Sequence, residues 1–168
     1  VDLTRAPASH RVAFLLQRAI LATSGAVHRR RSPGSAVSWV FGPEDIASVI
    51  KYVAPAVDGS LTVSLAEHRF YDHHYDVELR PVRSARLRLL RRLIAGPWLL
   101  GRLASRARGF LYLGATGFLL DTVDSRQTEF AFLSRRGIRI ACCFVGDDIR
   151  APRLMHEMER RTGRPNVS

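Results

Sequence analysis

A chain of 168 residues with 46% hydrophobic and 24% charged residues is a globular domain with a real core, which excludes a disordered tail. Its formal charge of +11 and pI of about 11.2 favour anionic partners such as nucleic acid, phosphosugars or acidic lipid. Lys51 is the only lysine, so the arginine excess also fits the coding bias of a GC-rich genome.

Residues 1–34 read as a basic N-terminal arm or linker with one helix over about Arg11 to Thr23. The run His28-Arg-Arg-Arg-Ser-Pro-Gly34 ends it in turn-forming residues. Gln17 and Arg18 interrupt the apolar stretch Val12–Ala22, and nothing in the chain reaches the roughly 18 apolar residues of a membrane span. No signal cleavage site follows that stretch. The expectation is a cytoplasmic protein, with peripheral attachment to the inner face of the cell membrane left open.

The domain proper is expected over residues 35–168. Ala36–Phe41 has strand composition. Gly42-Pro43 turns the chain, and Pro43, Glu44 and Asp45 suit the first turn of a helix. Ile46, Val49, Ile50 and Val53 supply its apolar face, and Pro55 stops it. Leu61–Leu65 follows as a second strand, giving a β-α-β unit with a parallel pair. A loop dense in polar and aromatic residues, Glu67–Asp76, leads to a basic helical region, Ser84–Arg108. There Leu87, Leu90, Leu93 and Ile94 share one side, and Gly96-Pro97 is expected to break or kink the helix. Phe110–Leu113 is the third strand and Asp124–Gly137 a helix capped by Gly137. The strand Ile138–Phe144 ends in Gly146-Asp147-Asp148, and a helix is expected from Pro152 to Arg160. This alternation predicts a layered α/β sandwich in a single domain. Cys142 and Cys143 are neighbours on one strand, point to opposite faces, and read as free thiols.

Ligands of open α/β sheets bind beyond the carboxyl ends of strands, so the segments there carry the candidate chemistry. In Gly146-Asp147-Asp148 the two acids can hold Mg²⁺, act as acid and base, or bond sugar hydroxyls, and either can instead cap the next helix. Gly114-Ala115-Thr116-Gly117 is a glycine-rich turn that admits close backbone approach. It lacks both the dinucleotide and the phosphate-loop spacing. His68, Asp72, His73, His74 and Asp76 match no metal signature, and no metal site is expected. The helical region Ser84–Arg108 can lie on an anionic membrane surface or simply present a solvated charged face. Nucleic acid is disfavoured, because charge is present without stacking platforms or a reading helix.

The segments Phe110–Leu119, Glu129–Gly137, Ile140–Phe144 and Gly146–Arg150 resemble the amino-terminal half of bacterial GT-B glycosyltransferases of the polysaccharide and cell-envelope type. That resemblance implies a Rossmann-like three-layer sandwich with a mainly parallel sheet. It also implies that residues 35–168 are the acceptor-side domain, without the donor-binding carboxyl-terminal one. The implied function is transfer of a hexose from a nucleotide sugar to an envelope glycan or lipid-linked acceptor, with a separate donor-binding domain as partner. No cofactor would be bound here, the nucleotide sugar would sit on the other half, and the domain alone would not turn over. Gly114, Thr116, Gly117, Gly146, Asp147, Asp148 and Arg150 would line the acceptor cleft, with Tyr71 and His73 nearby. Many relatives carry a histidine where this chain has Val145 and a serine where it has Asp147, so the turn reads as cleft-lining and the catalytic residues are not assigned. The alternative from another class is a non-catalytic α/β binding module that sets its arginine-rich face on an anionic membrane or polyanion.

Overall fold

Runs rich in β-branched, aromatic and leucine side chains form strands β1 (Val37–Phe41), β2 (Leu61–Ser64), β3 (Val77–Glu78), β4 (Ala107–Leu113) and β5 (Arg139–Cys143). The computed structural model describes residues 7–29, 37–46, 48–65, 74–79, 82–114, 116–120, 124, 126–144 and 160–161. All strand pairs are parallel, in the order β3-β2-β1-β4-β5. Val40 lies opposite both Leu61 and Phe110, and Phe110 opposite Ile140, so one apolar row crosses four strands.

The central strands read as continuous apolar runs because both faces are covered. Phe110 and Tyr112 of β4 enter one core cluster with Val40, Val63, Leu100 and Leu133. Leu111 and Leu113 enter a second with Phe41, Ile50 and Ala54. Cys142 joins the first and Cys143 the second, which is why the adjacent thiols are both free. Helices α1 (Ala8–Arg29), α3 (Ala85–Leu103) and α4 (Gln127–Ser134) supply Leu21, Leu100 and Leu133 to the first cluster. Helix α2 (Val49–Val53) and the 3-10 turn Ala54–Ala56 supply Ile50 and Ala54 to the second. The division follows from strand order. The connection from β1 to β2 steps one way across the sheet and those into β4 and β5 step the other way. With a single crossover hand the two sets of helices land on opposite faces. This is a Rossmann-like, doubly wound α/β sandwich in a single domain.

The expected arm departs most from its sequence reading. Residues 8–29 are one 22-residue helix packed along α3, with Phe14, Gln17, Leu21 and Ser24 buried. Gln17 looks like a break in an apolar run because its partner is 103 residues away. Its Oε1 accepts the Leu120 amide at 2.6 Å and its Nε2 donates to the Leu120 carbonyl at 3.4 Å. Ser24 Oγ donates to the Trp98 carbonyl at 2.7 Å. Gly101 permits that approach, since a Cβ there would lie 2.6 Å from the Ser24 side chain.

Other boundaries shift for local reasons. The helix expected from Pro43 begins only at Val49, because the backbone of Gly42 and Pro43 is bonded to Leu111 of β4 and to Leu65 just after β2 and closes β1 as a turn. Asp45 still serves the amino end of that helix, its Oδ1 accepting the Ile50 amide at 3.1 Å. Helix α3 runs unbroken through Pro97 although the ring removes one helical amide. Gly96 explains part of this: a Cβ there would lie 1.9 Å from the Phe118 carbonyl oxygen, so tertiary packing holds this turn. Helix α4 starts at Gln127 because Asp124 caps it from outside, Oδ2 accepting the Thr128 amide at 2.9 Å. Strand β3 lies just past the polar loop and is too short to show a period in the sequence. The helix expected over Pro152–Arg160 lies outside the described residues except Arg160, which is helical together with Arg161.

Candidate functional site

Strands β1 and β4 are neighbours, and the chain leaves β1 toward β2 and β4 toward β5, in opposite directions across the sheet. Ligands of doubly wound sheets bind beside such a switch point. On one side of it is the turn after β1. Gly42 has φ +142, and a Cβ there would lie 2.3 Å from the Val63 carbonyl oxygen, so no other residue fits. Its amide donates to Leu111 at 3.1 Å, and the Pro43 carbonyl accepts the Leu65 amide at 2.8 Å, which ties the turn to both neighbours. Asp45 is fully buried behind it, and Tyr75 Oη donates to its Oδ2 at 3.1 Å.

On the other side is the segment after β4. Gly114, with φ +64, donates its amide to Cys143 at 3.0 Å and accepts from Arg126 Nη1 at 3.0 Å. Beyond it the irregular backbone 117–120 finds its partners in side chains, because no strand or helix supplies them. Glu129, fully buried on α4, accepts Tyr112 Oη at 2.6 Å and the amides of Phe118 and Leu119 at 2.9 and 3.1 Å. The Arg92 guanidinium of α3 donates to the Gly117 and Phe118 carbonyls. Gln17 of α1 holds Leu120 by both backbone groups. A Cβ on Gly117 would lie 2.5 Å from Glu129 Oε2. The carboxylate beneath it therefore requires a glycine at this position.

Burial dominates the electrostatics. It pushes the Glu129 carboxyl up, against the lowering pull of its hydrogen bonds from Tyr112, Phe118 and Leu119 and of the Arg92 charge. It brings Arg92 down to about 10 although Glu129 and Glu44 pull the other way. Burial and the neighbouring Glu129 hold Tyr112 well above its ordinary value. For each group desolvation exceeds attraction, so the cluster serves to fix the loop and is a poor net source of charge-pair stability. The influence of Glu44 on Arg92 places a carboxylate from the β1 turn within electrostatic reach of the loop after β4. Arg126, stacked 5.1 Å from the Phe130 ring, adds a second cation at the same edge.

Of the residues expected in the site, Gly114, Thr116 and Gly117 follow the carboxyl end of β4, the strand next to the one that carries the Gly42–Asp45 turn. Gly146, Asp147, Asp148 and Arg150 follow β5, and Tyr71 and His73 follow β2; all six lie outside the described residues. His74, Tyr75 and Asp76 line a groove of about 480 Å³ with Lys51, Thr62 and Ile50, on the α2 face. Asp76 is engaged there, its Oδ2 accepting the Thr62 amide and hydroxyl at 2.7 and 2.8 Å. Among the described residues no group of three His, Cys, Asp or Glu side chains converges as metal ligands; His68, Asp72 and His73 lie outside them. Sequence reasoning missed Arg92, Tyr112, Gln17 and the buried role of Glu129. The available signal was a lone acid or amide on an otherwise apolar helix face, which says that a partner exists without saying where.

No family model, no curated protein and no solved structure matches the chain.

Proposed function

We propose that this domain is the acceptor-binding half of a nucleotide-sugar-dependent glycosyltransferase. The observation that supports the reading is the β1–β4 switch point of the parallel sheet, where ligands of such folds bind, with the backbone 117–120 beside it fixed by Glu129, Arg92 and Gln17. A preorganised edge suits a site that works by positioning. In the reaction, the bond from the donor sugar's anomeric carbon to the nucleoside diphosphate breaks and one to an acceptor hydroxyl forms, with retention at that carbon. The hydroxyl proton leaves with the diphosphate. Gly114, Thr116 and Gly117 would contact an envelope glycan or lipid-linked acceptor, with Asp148 and Arg150 shaping the same side. A separate donor-side domain would bind the nucleotide sugar and neutralise the diphosphate.

Amide NMR of the chain, titrated with fragments of envelope glycans and separately with nucleotide sugars, tests this. Glycan fragments should shift the signals of Gly114, Thr116 and Gly117, and nucleotide sugars alone should not. Shifts confined to the groove around His74 and Tyr75, or none with any glycan, would remove the reading.

A further inference from the structure

Helix α1 is built inside out for a surface helix facing water. Its inner side carries Gln17 and Ser24, both 0% exposed, beside Phe14 and Leu21. Its outer side carries Val12 at 67%, Leu15 at 53% and Leu16 at 43% exposure. The neighbouring helix repeats the pattern. Leu87, Leu90, Ile94 and Trp98 of α3 recur at three- and four-residue steps, forming one stripe that is between 40% and 53% exposed. The two helices pack against each other and enter the same core cluster, so both lie on one face of the sheet, and both apolar stripes belong to that helical layer.

These two helices carry charge of one sign. Neither α1 nor α3 contains an aspartate or glutamate, while Arg18, Arg86, Arg88 and Arg102 are exposed on them. A second copy is a poor occupant, because a two-fold interface would set arginines against arginines with no acid on either helix. Nucleic acid would leave the leucine stripes without a partner. An anionic bilayer satisfies both halves, with apolar side chains entering the headgroup boundary and guanidinium groups meeting lipid phosphates. Among the described residues no helix is long and apolar enough to cross a membrane, so this surface fits one that lies on it.

We propose that the joint outer face of α1 and α3 docks the protein on an anionic membrane surface. This stands independently of the glycosyl-transfer reading. The test is flotation of the whole 168-residue chain with vesicles of equimolar phosphatidylglycerol and phosphatidylcholine, or of phosphatidylcholine alone, at low and high salt. The chain should float with the anionic vesicles, and high salt should weaken but not abolish this, because apolar burial persists when charge is screened. The pairs Leu15→Glu with Leu16→Glu on α1, and Leu87→Glu with Leu90→Glu on α3, should each reduce partitioning by roughly ten-fold or more. Circular dichroism confirms that these exposed changes leave the fold intact. Failure to float with either vesicle, or flotation unchanged by the α1 pair, overturns the proposal. So does complete release by salt with both pairs behaving as the parent, which would indicate a general polyanion site. Dimerisation in solution that the glutamate pairs abolish, without vesicle binding, would assign the face to a second copy.

Discussion

Two regions of this domain invert the usual placement of polar and apolar groups. At the carboxyl edge of the sheet, Gln17, Arg92 and Glu129 are drawn inward to the backbone of 117–120. On the outer face of α1 and α3, leucines, valines and a tryptophan stand in solvent. The contrast separates what holds the fold from what faces outward. The inner polar groups answer unpaired backbone, whereas among the described residues no such need accounts for the outer apolar ones. Mutation should therefore be costly at the first region and nearly silent for folding at the second.

The largest effect is expected at Glu129. Glu129→Ala leaves Tyr112 Oη and the Phe118 and Leu119 amides without their acceptor and Arg92 without its nearby carboxylate. Loss of a buried charged partner of this kind costs about 3–5 kcal/mol. Urea unfolding measures it, and a loss below about 1 kcal/mol would mean that water replaces the carboxylate at little cost.

Gln17→Leu comes next, at about 1–3 kcal/mol, since it strips both backbone partners from Leu120. Gly117→Ala falls in a similar range, about 1–3 kcal/mol, because the new methyl meets Glu129 Oε2. These residues also show what sequence can convey. Strand positions, the parallel sheet and the free thiols were legible because alternating and continuous apolar runs are local patterns. The polar cage was not, because Gln17 and Leu120 lie 103 residues apart and a buried amide reads as a break until its partner is known. Gly117 was legible as special, but the atom it makes room for was not. Its neighbour is a carboxylate from the next helix, and a glycine cannot say which atom it makes room for. A double-mutant cycle sharpens this: in the Glu129→Ala background the Gly117→Ala penalty should shrink, whereas purely additive losses would place the clash elsewhere.

A smaller effect is a pH slope. Burial raises the Glu129 carboxyl in the folded chain, so unfolding releases a proton as that group ionises. With fewer protons bound in the unfolded state, stability falls as pH rises from the ordinary carboxylate range through the raised folded value. That contribution is full below the ordinary range and lost above the folded one. Glu129→Gln removes the titrating group, so urea unfolding at several pH values should show a flatter profile for the variant. Parallel profiles would assign the slope to other carboxylates.

The smallest effect tests the other half of the contrast. Leu15→Ser and Leu90→Ser, at sites 53% and 50% exposed, should each change folding stability by no more than about 0.5 kcal/mol. A buried leucine would cost several times more, since truncation there leaves a cavity as well as lost apolar contact. A loss of 2 kcal/mol or more, on the scale of core truncation, would mean that some other segment of this chain covers the face and that the inversion is only apparent. Near-zero values on both helices would leave the outer leucines without a role in folding, as expected of an apolar surface that makes its contact after folding.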